Sequence, residues 1–312
     1  MRSSKIISTF ILLIIGLILC FPQESEAKKK ALRFAAGFQG GTYYQIGNSL
    51  NKIEDLEFDV QTTGGSKENI LLIRDRKADF GMVQLDILIN MSKTDAKITS
   101  NVKILLPVYA EEVHLVASKD IKSIEDLKGK KVSIGPRDSG IQGTARIILQ
   151  NLKIKESGIS IEQFPVFVGL QQLLIKRKID AMFVVAGAPV EMLSTIPKEA
   201  SGVIHMIPFS SSQIATLTGG DLPYSVASIS SKDYSWISEP VATVAVDSVL
   251  IVRSDIKPKH VKTIIESIFT NQSKFIQVHK KWKELSKENV KKILEKRKNF
   301  FHEAAVEAIN AL

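Results

Sequence analysis

The chain has 312 residues, of which 42 are lysine or arginine and 33 are aspartate or glutamate, so its formal net charge is +9. This length is ample for two ordinary domains, and the single cysteine excludes a framework of disulfides within the chain. The basic residues are not interleaved with aromatic ones, so we expect no nucleic-acid partner despite the positive charge.

The first segment has the pattern of an export signal. Arg2 and Lys5 precede an apolar stretch over residues 6–19, and polar residues return at 23–26. The stretch is shorter than the roughly 20 residues that a spanning helix needs, and Ser25 and Ala27 are small residues at the two positions that a signal peptidase reads. We therefore predict a signal peptide over residues 1–27 and a soluble protein, periplasmic or otherwise extracytoplasmic, from residue 28 onward.

Cys20 supports a second interpretation of this segment. The preceding residues 17–19 make it resemble a bacterial lipoprotein signal, although Leu19 is bulkier than the residue usually found there. Lipidation of Cys20 would anchor the protein to the membrane. Cleavage after Ala27 would instead leave no cysteine, and therefore no disulfide, thiolate metal site or cysteine nucleophile. The three lysines at residues 28–30 indicate a basic tether in either case.

From residue 31 onward, strand-like apolar runs alternate with helical patterns. This alternation predicts α/β lobes with mainly parallel sheets. The predicted strands cover residues 31–36, 58–62, 80–84, 104–108, 113–118, 131–134, 161–167, 181–185 and 249–253. The predicted helices cover residues 43–53, 66–76, 142–151, 170–176, 190–194 and 259–271.

Two charged segments separate or follow these elements. Residues 119–131 predict a short helix that Gly129 closes, at the point where the chain enters a second lobe, and the return to the first lobe is expected near residues 241–252. Residues 274–298 hold ten basic residues with apolar ones at roughly helical spacing, which predicts a basic amphipathic helix pair. A solvated face is the simpler interpretation of this pair, and contact with anionic lipid or an acidic partner is the alternative.

Three glycine-rich turns join a predicted strand to a predicted helix, namely those that end at Thr42, Ser66 and Gly140. The free N–H groups of a helix start, with the positive end of its dipole behind them, make such a turn a seat for a small carboxylate or phosphate. Each turn alone is equally well interpreted as a plain loop. The first turn is similar to the dinucleotide-binding fingerprint but does not match it, because its third glycine is misplaced. Three such turns at lobe edges favour a binding cleft.

Seven motifs follow one another in a recognisable order: GGTYY, TTGGSKEN, ADFGMVQLD, VHLVASKD, SIEDLKGKKVSIGPRDSG, IDAMFVVAGAP and VATVAVDSVLIV. Their order and spacing, over nearly the whole chain after the signal, resemble the TAXI family, the extracytoplasmic solute receptors of TRAP transporters. The resemblance implies a type II periplasmic-binding-protein fold, with two α/β lobes on a hinge that close on a small organic anion, a carboxylate or an amino acid. It also implies membrane permease subunits as partners, a monomer, and no cofactor or metal.

The resemblance also implies lobe limits and ligand contacts. The first lobe would comprise residues 28–117 and 243–312, and the second residues 118–242. The implied ligand-binding residues are Gly41, Thr42, Tyr43, Gly64, Gly65, Ser66, Gln84, His114, Ser139, Gly140, Thr144, Val185, Ala186 and Gly187.

Three positions depart from the family pattern. Ile141 and Gln142 stand where the family usually has a threonine and often an arginine, and Ala188 stands where a larger side chain is common. These changes favour a larger or less charged ligand than the acidic amino acids or dicarboxylates associated with relatives.

Other functional classes have less support. The five histidines are scattered, and the chain has no HExxH motif and no GxSxG elbow, so we predict no catalytic residues and no enzyme. The adjacent Glu111 and Glu112 are interpreted as solvated rather than as an acid/base couple. A ligand-sensing or surface lipoprotein module that is not coupled to transport is the alternative to a transport receptor.

Overall fold

A computed structural model describes residues 31–312; the predicted signal peptide, Cys20 and the lysines at 28–30 lie outside the described residues. The strands are β1 (Leu32–Ala35), β2 (Phe58–Gln61), β3 (Phe80–Gln84), β4 (Val102–Ser118), β5 (Lys131–Ser133), β6 (Ser160–Glu162), β7 (Ala181–Ala186), β8 (Ile204–Met206), β9 (Tyr224–Ile229) and β10 (Val241–Arg253).

The α-helices lie between and after these strands. They are α1 (Thr42–Ser49), α2 (Ser66–Arg74), α3 (Leu85–Ser92), α4 (Ala96–Asn101), α5 (Gly140–Asn151), α6 (Val166–Leu174), α7 (Glu191–Ser194), α8 (Ser211–Thr218), α9 (Pro258–Thr270), α10 (Gln272–Val278), α11 (Lys287–Arg297) and α12 (Glu303–Asn310). Short 3-10 turns include Ile124–Leu127, which Gly129 follows with a φ of 78°, and Lys280–Glu284. Within residues 31–312, no helix combines the length and apolarity needed to cross a bilayer.

The strands form one continuous sheet with the order β2-β1-β3-β10-β4-β7-β5-β6, to which β8 adds on β4 and β9 on β10. Parallel pairs occur at its two ends, where β1 joins β2 and β3, and β5 joins β6 and β7. The two long central strands are antiparallel to their neighbours. The predicted parallel sheets are therefore confirmed for the outer strands, and the centre of the sheet differs.

The two long strands connect the halves of the sheet. One part of β4 pairs with β10, and its last residues pair with β7 and β8. Likewise β10 begins on β9 and ends on β3, over the residues where the return to the first lobe is expected. The separate strands predicted over residues 104–108 and 113–118 are wrong, since β4 is unbroken. The sheet tolerates Pro107 because it pairs with Val249 beside a register shift, where a missing N–H costs no regular ladder bond.

Two other predictions need correction. The strand predicted over residues 161–167 ends at Glu162, because Pro165 fixes the backbone before the first turn of α6 at Val166. The predicted C-terminal helix pair contains α10, a 3-10 turn and α11, and within the turn Lys280 and Lys283 are exposed whereas Lys281 and Trp282 are buried. Trp282 in this turn is fully buried, packs on Phe275 and donates from Nε1 to Ser49 Oγ at 3.0 Å.

Candidate functional site

The three glycine turns lie at the carboxyl ends of β1, β2 and β5, and each leads into a helix, as predicted: α1, α2 and α5. Gly40 and Gly65 have φ values of 83° and 105°, a region that side chains with a Cβ rarely occupy. Ser139 caps α5, since its Oγ accepts a hydrogen bond from Gln142 N at 3.2 Å. The Ser139 hydroxyl also donates to Pro136 O, so it acts both as a donor and as an acceptor within the turn.

The start of α5 meets the first half of the sheet at Gly140. A Cβ added to Gly140 would stand 1.8 Å from Gln84 Oε1 and 2.8 Å from Ser66 Oγ. One turn further along, a Cβ at Gly143 would stand 2.4 Å from Ile87 Cδ1. Ser66 and Gln84 are themselves connected, because Gln84 N donates to Ser66 Oγ at 3.0 Å. The structure therefore brings together Ser66, Gln84 and Gly140, and the second half approaches the first through two glycines of α5, Gly140 and Gly143.

A buried carboxylate adjoins this contact. Gln84 Nε2 donates to Glu111 Oε2 at 2.8 Å, and the hydroxyls of Tyr109 and Ser248 donate to Glu111 Oε1, at 3.0 Å for Tyr109. Glu111 is only 4% exposed, and burial raises its pKa to about 7. The interpretation of Glu111 as a solvated residue is thus wrong. The sequence pattern, which puts residue 111 between two predicted strands, gives no sign of this burial.

Tyr43 belongs to the same cluster. Its hydroxyl lies 3.0 Å from Ser248 Oγ, so α1 is linked to the crossing strand β10 and, through Ser248, to Glu111. Burial raises the pKa of the Tyr43 hydroxyl well above its ordinary value, and the nearby Glu111 raises it further. Tyr43 therefore stays a neutral hydrogen-bonding group under all ordinary conditions.

A second buried carboxylate, Asp86, connects the first half of the sheet to the second. Thr144 Oγ1 and the Tyr224 hydroxyl both donate to Asp86 Oδ2, at 2.6 and 2.7 Å, and Ile87 N donates to Oδ1. Burial raises the pKa of Asp86. The hydroxyl of Thr144, predicted as a ligand contact, is therefore a partner of Asp86. Outside this contact, Lys67 forms an exposed ion pair with Asp138.

His114 does not join the Gln84–Glu111 cluster. Its Nδ1 lies 2.9 Å from Glu112 O and its Nε2 lies 2.8 Å from the Tyr234 hydroxyl, which in turn accepts from Val190 N. The ring is fully buried, and burial lowers its pKa to about 4, so it is neutral. These contacts place the His114 ring inside the second half of the sheet, apart from the Gln84–Glu111 cluster, and its role as a ligand contact stays a prediction.

Val185, Ala186 and Gly187 end β7 beside a different cluster. A Cβ at Gly187 would stand 2.2 Å from Lys281 Cε. Lys281 is 4% exposed, forms an ion pair with Glu284 at 2.5 Å, and lies 5.7 Å from the ring centre of Tyr109. Because Tyr109 also contacts Glu111, this wall and the Gln84–Glu111 cluster adjoin through Tyr109. The sequence pattern missed Lys281, which was taken as part of a solvated basic face.

The remaining predicted residues lie in the first two turns. Gly41 is covered by the ring of Phe38, which would stand 2.9 Å from an added Cβ, and Thr42 is partly buried at the start of α1. Gly64 N donates to Glu68 Oε2 at 2.7 Å, while Gly65 has no atom within 4 Å of a Cβ position. Within residues 31–312, no group of three or more His, Cys, Asp or Glu side chains is placed to hold a metal ion.

This architecture, two α/β lobes joined by the crossing strands β4 and β10, is the type II fold of periplasmic binding proteins. It is similar to the periplasmic sulfonate-binding protein SsuA of a putative ABC transporter from Methylobacillus flagellatus KT, at 16% identity over 90% of this chain and 94% of that chain, with a TM-score of 0.51. It is also similar to XAC2383 from Xanthomonas citri bound to ATP, at 10% identity over 90% and 98% of the two chains, with a TM-score of 0.52. The GluR0 ligand-binding core in complex with L-glutamate matches at 10% identity over 82% and 99%, with a TM-score of 0.51.

These identities are low, and the likeness is one of fold. The family is shown by the sequence itself, because residues 34–308 match the NMT1-like family. The chain belongs to the NMT1-like family.

Proposed function

We propose that the protein is an extracytoplasmic receptor that captures a small organic anion, a carboxylate or an amino acid, between its lobes and delivers it to a TRAP-type secondary transporter. One observation carries the proposal: Ser66 and Gln84 from one lobe meet Gly140 from the other, beside the strands that connect the lobes. The TRAP coupling rests on the motif resemblance. The lobe limits at residues 117/118 and 242/243 stay predictions.

The proposed mechanism is a change in the population of open and closed forms. In the open form the helix starts at Ser66 and Gly140 are separated, and the backbone N–H groups of both turns are free to bind an anionic group. A solute that contacts both turns favours the closed form by its differential affinity, and the permease recognises that form. Because binding and closure involve no bond making, this function needs no catalytic group.

Two proteins with the same fold are described as sulfonate-binding and as bound to L-glutamate, ligands that carry an anionic group. These descriptions are in keeping with an anionic solute for this chain. The helix starts supply the positive end of a dipole for such a group.

The experiment is a thermal-shift screen of the purified protein against mono- and dicarboxylates, amino acids and phosphorylated acids, followed by calorimetric titration of the hits. A ligand at a hundredfold excess over its Kd should add about 2.7 kcal/mol to the free energy of unfolding. Ser66→Trp should abolish binding by filling the contact, whereas Ser201→Trp, at an exposed position, should not. Unchanged affinity of the Ser66 variant would contradict the site, and a flat screen after removal of co-purified ligand would favour a surface module.

The surface-module alternative has its own test. Cys20 lies outside the described residues, but its sequence context resembles a lipoprotein signal. Labelling cells with a fatty-acid probe should mark the wild-type protein and not Cys20→Ala if the protein is lipidated. Genes for a many-spanning permease beside this gene would support transport coupling, and a neighbouring sensor kinase would support sensing.

A further inference from the structure

The Glu111 carboxylate lies in the centre of the candidate site, and the partners described for it are all uncharged. Tyr109 and Ser248 donate to Oε1, and Gln84 donates to Oε2. Each of these donors is itself connected to a residue of the site. Gln84 contacts Ser66 and Gly140, and Ser248 contacts Tyr43. A buried carboxylate that lacks a cationic partner is costly for a protein to keep.

The two oxygens of Glu111 differ in their surroundings. Oε1 accepts from the hydroxyls of Tyr109 and Ser248, whereas Oε2 accepts from the Gln84 amide. The other end of that amide, Gln84 Oε1, stands against the backbone of Gly140. A solute that enters between Gly140 and Gln84 therefore arrives beside Oε2. It can replace the amide donor only with a donor of its own, and a second carboxylate there would be repelled.

The nearby cation does not neutralise this carboxylate. Lys281 lies over the Tyr109 ring, but its Nζ is held by Glu284 at 2.5 Å. The other acidic group at the contact, Asp86, already accepts three hydrogen bonds. Glu111 is thus the group at the contact that a ligand cation can complete, and charge-assisted hydrogen bonds are the stronger kind.

We propose that Glu111 binds the ammonium group of the solute, so that the receptor selects α-amino acids over dicarboxylates and hydroxy acids. The carboxylate of the same amino acid would occupy the helix starts at Ser66 and Gly140. The inference rests on the proposed function and narrows its solute class. It makes Glu111, which is outside the predicted ligand-binding residues, the residue that determines specificity.

The test compares pairs of ligands that differ only at the amine. The purified protein is titrated calorimetrically with the proteinogenic L-amino acids, with the 2-hydroxy acid of the same side chain for each hit, and with succinate and 2-oxoglutarate. The wild type should prefer the amino acid over its hydroxy acid by at least a hundredfold. Glu111→Gln should weaken amino-acid binding at least thirtyfold and change hydroxy-acid binding less than threefold. Glu125→Gln, at an exposed carboxylate, should keep the wild-type preference.

The outcomes separate this inference from the proposed function. Equal binding of an amino acid and its hydroxy acid by the wild type, or tightest binding of a dicarboxylate, would overturn the role of Glu111 and still support a solute receptor. The wild-type ratio decides this even if Glu111→Gln fails to fold. Binding of no ligand from any class would overturn both.

Discussion

The side chain of Gln84 lies against the backbone of Gly140, so that a Cβ on Gly140 would stand 1.8 Å from Gln84 Oε1. The Gln84 amide cannot simply turn away, because its Nε2 donates to the buried Glu111. Glycine is thus the only residue type that fits at position 140 unless Gln84 moves. The contact between the two halves of the sheet therefore depends on glycine having no side chain at position 140.

Gly140→Ala should therefore weaken solute binding without preventing folding. The added methyl group opposes the closed form, while in the open form the position is the first residue of a helix that tolerates alanine. We expect a loss of about tenfold or more in affinity, which corresponds to roughly 1.4 kcal/mol. Calorimetric titration measures it, and Gly202→Ala is the matched control because no atom lies within 4 Å of that Cβ position. Wild-type affinity in the Gly140 variant would contradict the importance of this contact.

Thr144→Val should also weaken closure, by a different route. The Thr144 hydroxyl donates to Asp86 Oδ2 at 2.6 Å, so the change leaves a buried carboxylate with one donor fewer. Such a loss costs about 1–3 kcal/mol, and we expect it to fall on the closed form because Asp86 and Thr144 lie in the two different halves of the sheet, in α3 and α5. These energies correspond to a fall in affinity of roughly 5- to 150-fold, which calorimetric titration would measure.

The matched control for this change is Thr216→Val. Its hydroxyl donates to Ser212 O within α8 on the protein surface, so the affinity should stay unchanged. If both variants bind like the wild type, then Asp86 stabilises one lobe internally and does not hold the lobes together.

Most of the outer fold was predictable from the sequence because it depends on local patterns. The strand–glycine–helix turns before Ser66 and Gly140 carry their own signals, namely an apolar run, a residue that permits unusual backbone angles, and a cap. The continuous strand β4 was not predictable, because Pro107 signals a break unless the register shift opposite it is known. Register is a property of two strands, and one sequence segment does not contain it.

The candidate site was only partly predictable for a similar reason. Gln84, Ser66 and Gly140 follow from strand ends and helix starts. Glu111 and Lys281 do not, because a charged residue in a sequence looks the same whether it is solvated or buried. Their burial depends on contacts between parts of the chain that are distant in sequence, since Gln84 contacts Glu111 and Tyr109 contacts Lys281.

Glu111 should make the stability of the protein depend on pH in a known direction. Burial raises its pKa from 4.5 to about 7, so the folded protein holds a proton that the unfolded chain has already released between these values. The stabilisation from this proton is complete below about pH 4.5 and is lost as the pH rises through 7. Its slope is at most on the order of 1.4 kcal/mol per pH unit.

The measurement is the melting temperature of the wild type and of Glu111→Gln at pH 5, 6, 7 and 8. As the pH rises, the melting temperature of the variant should increase relative to that of the wild type, because the variant lacks the buried charge. The lowered pKa of His114 has the opposite effect, since it reduces stability as the pH falls below 6.5. This effect cancels in the comparison because the wild type and the variant both contain His114. A difference in melting temperature that is constant across this range would show that Glu111 does not titrate there.

Trp282 should be a major contributor to stability, although it lies in the most basic part of the chain. Its ring is fully buried against Phe275, and its Nε1 donates to Ser49 Oγ, so it attaches the C-terminal segment to α1. Trp282→Ala leaves a cavity in place of the indole ring and should lower the free energy of unfolding, measured with urea, by about 3–5 kcal/mol. Phe167→Ala removes a ring that is 59% exposed and should change the free energy of unfolding by less than about 0.5 kcal/mol. A loss below 1 kcal/mol for the Trp282 variant would mean that the C-terminal segment is not part of the cooperative core.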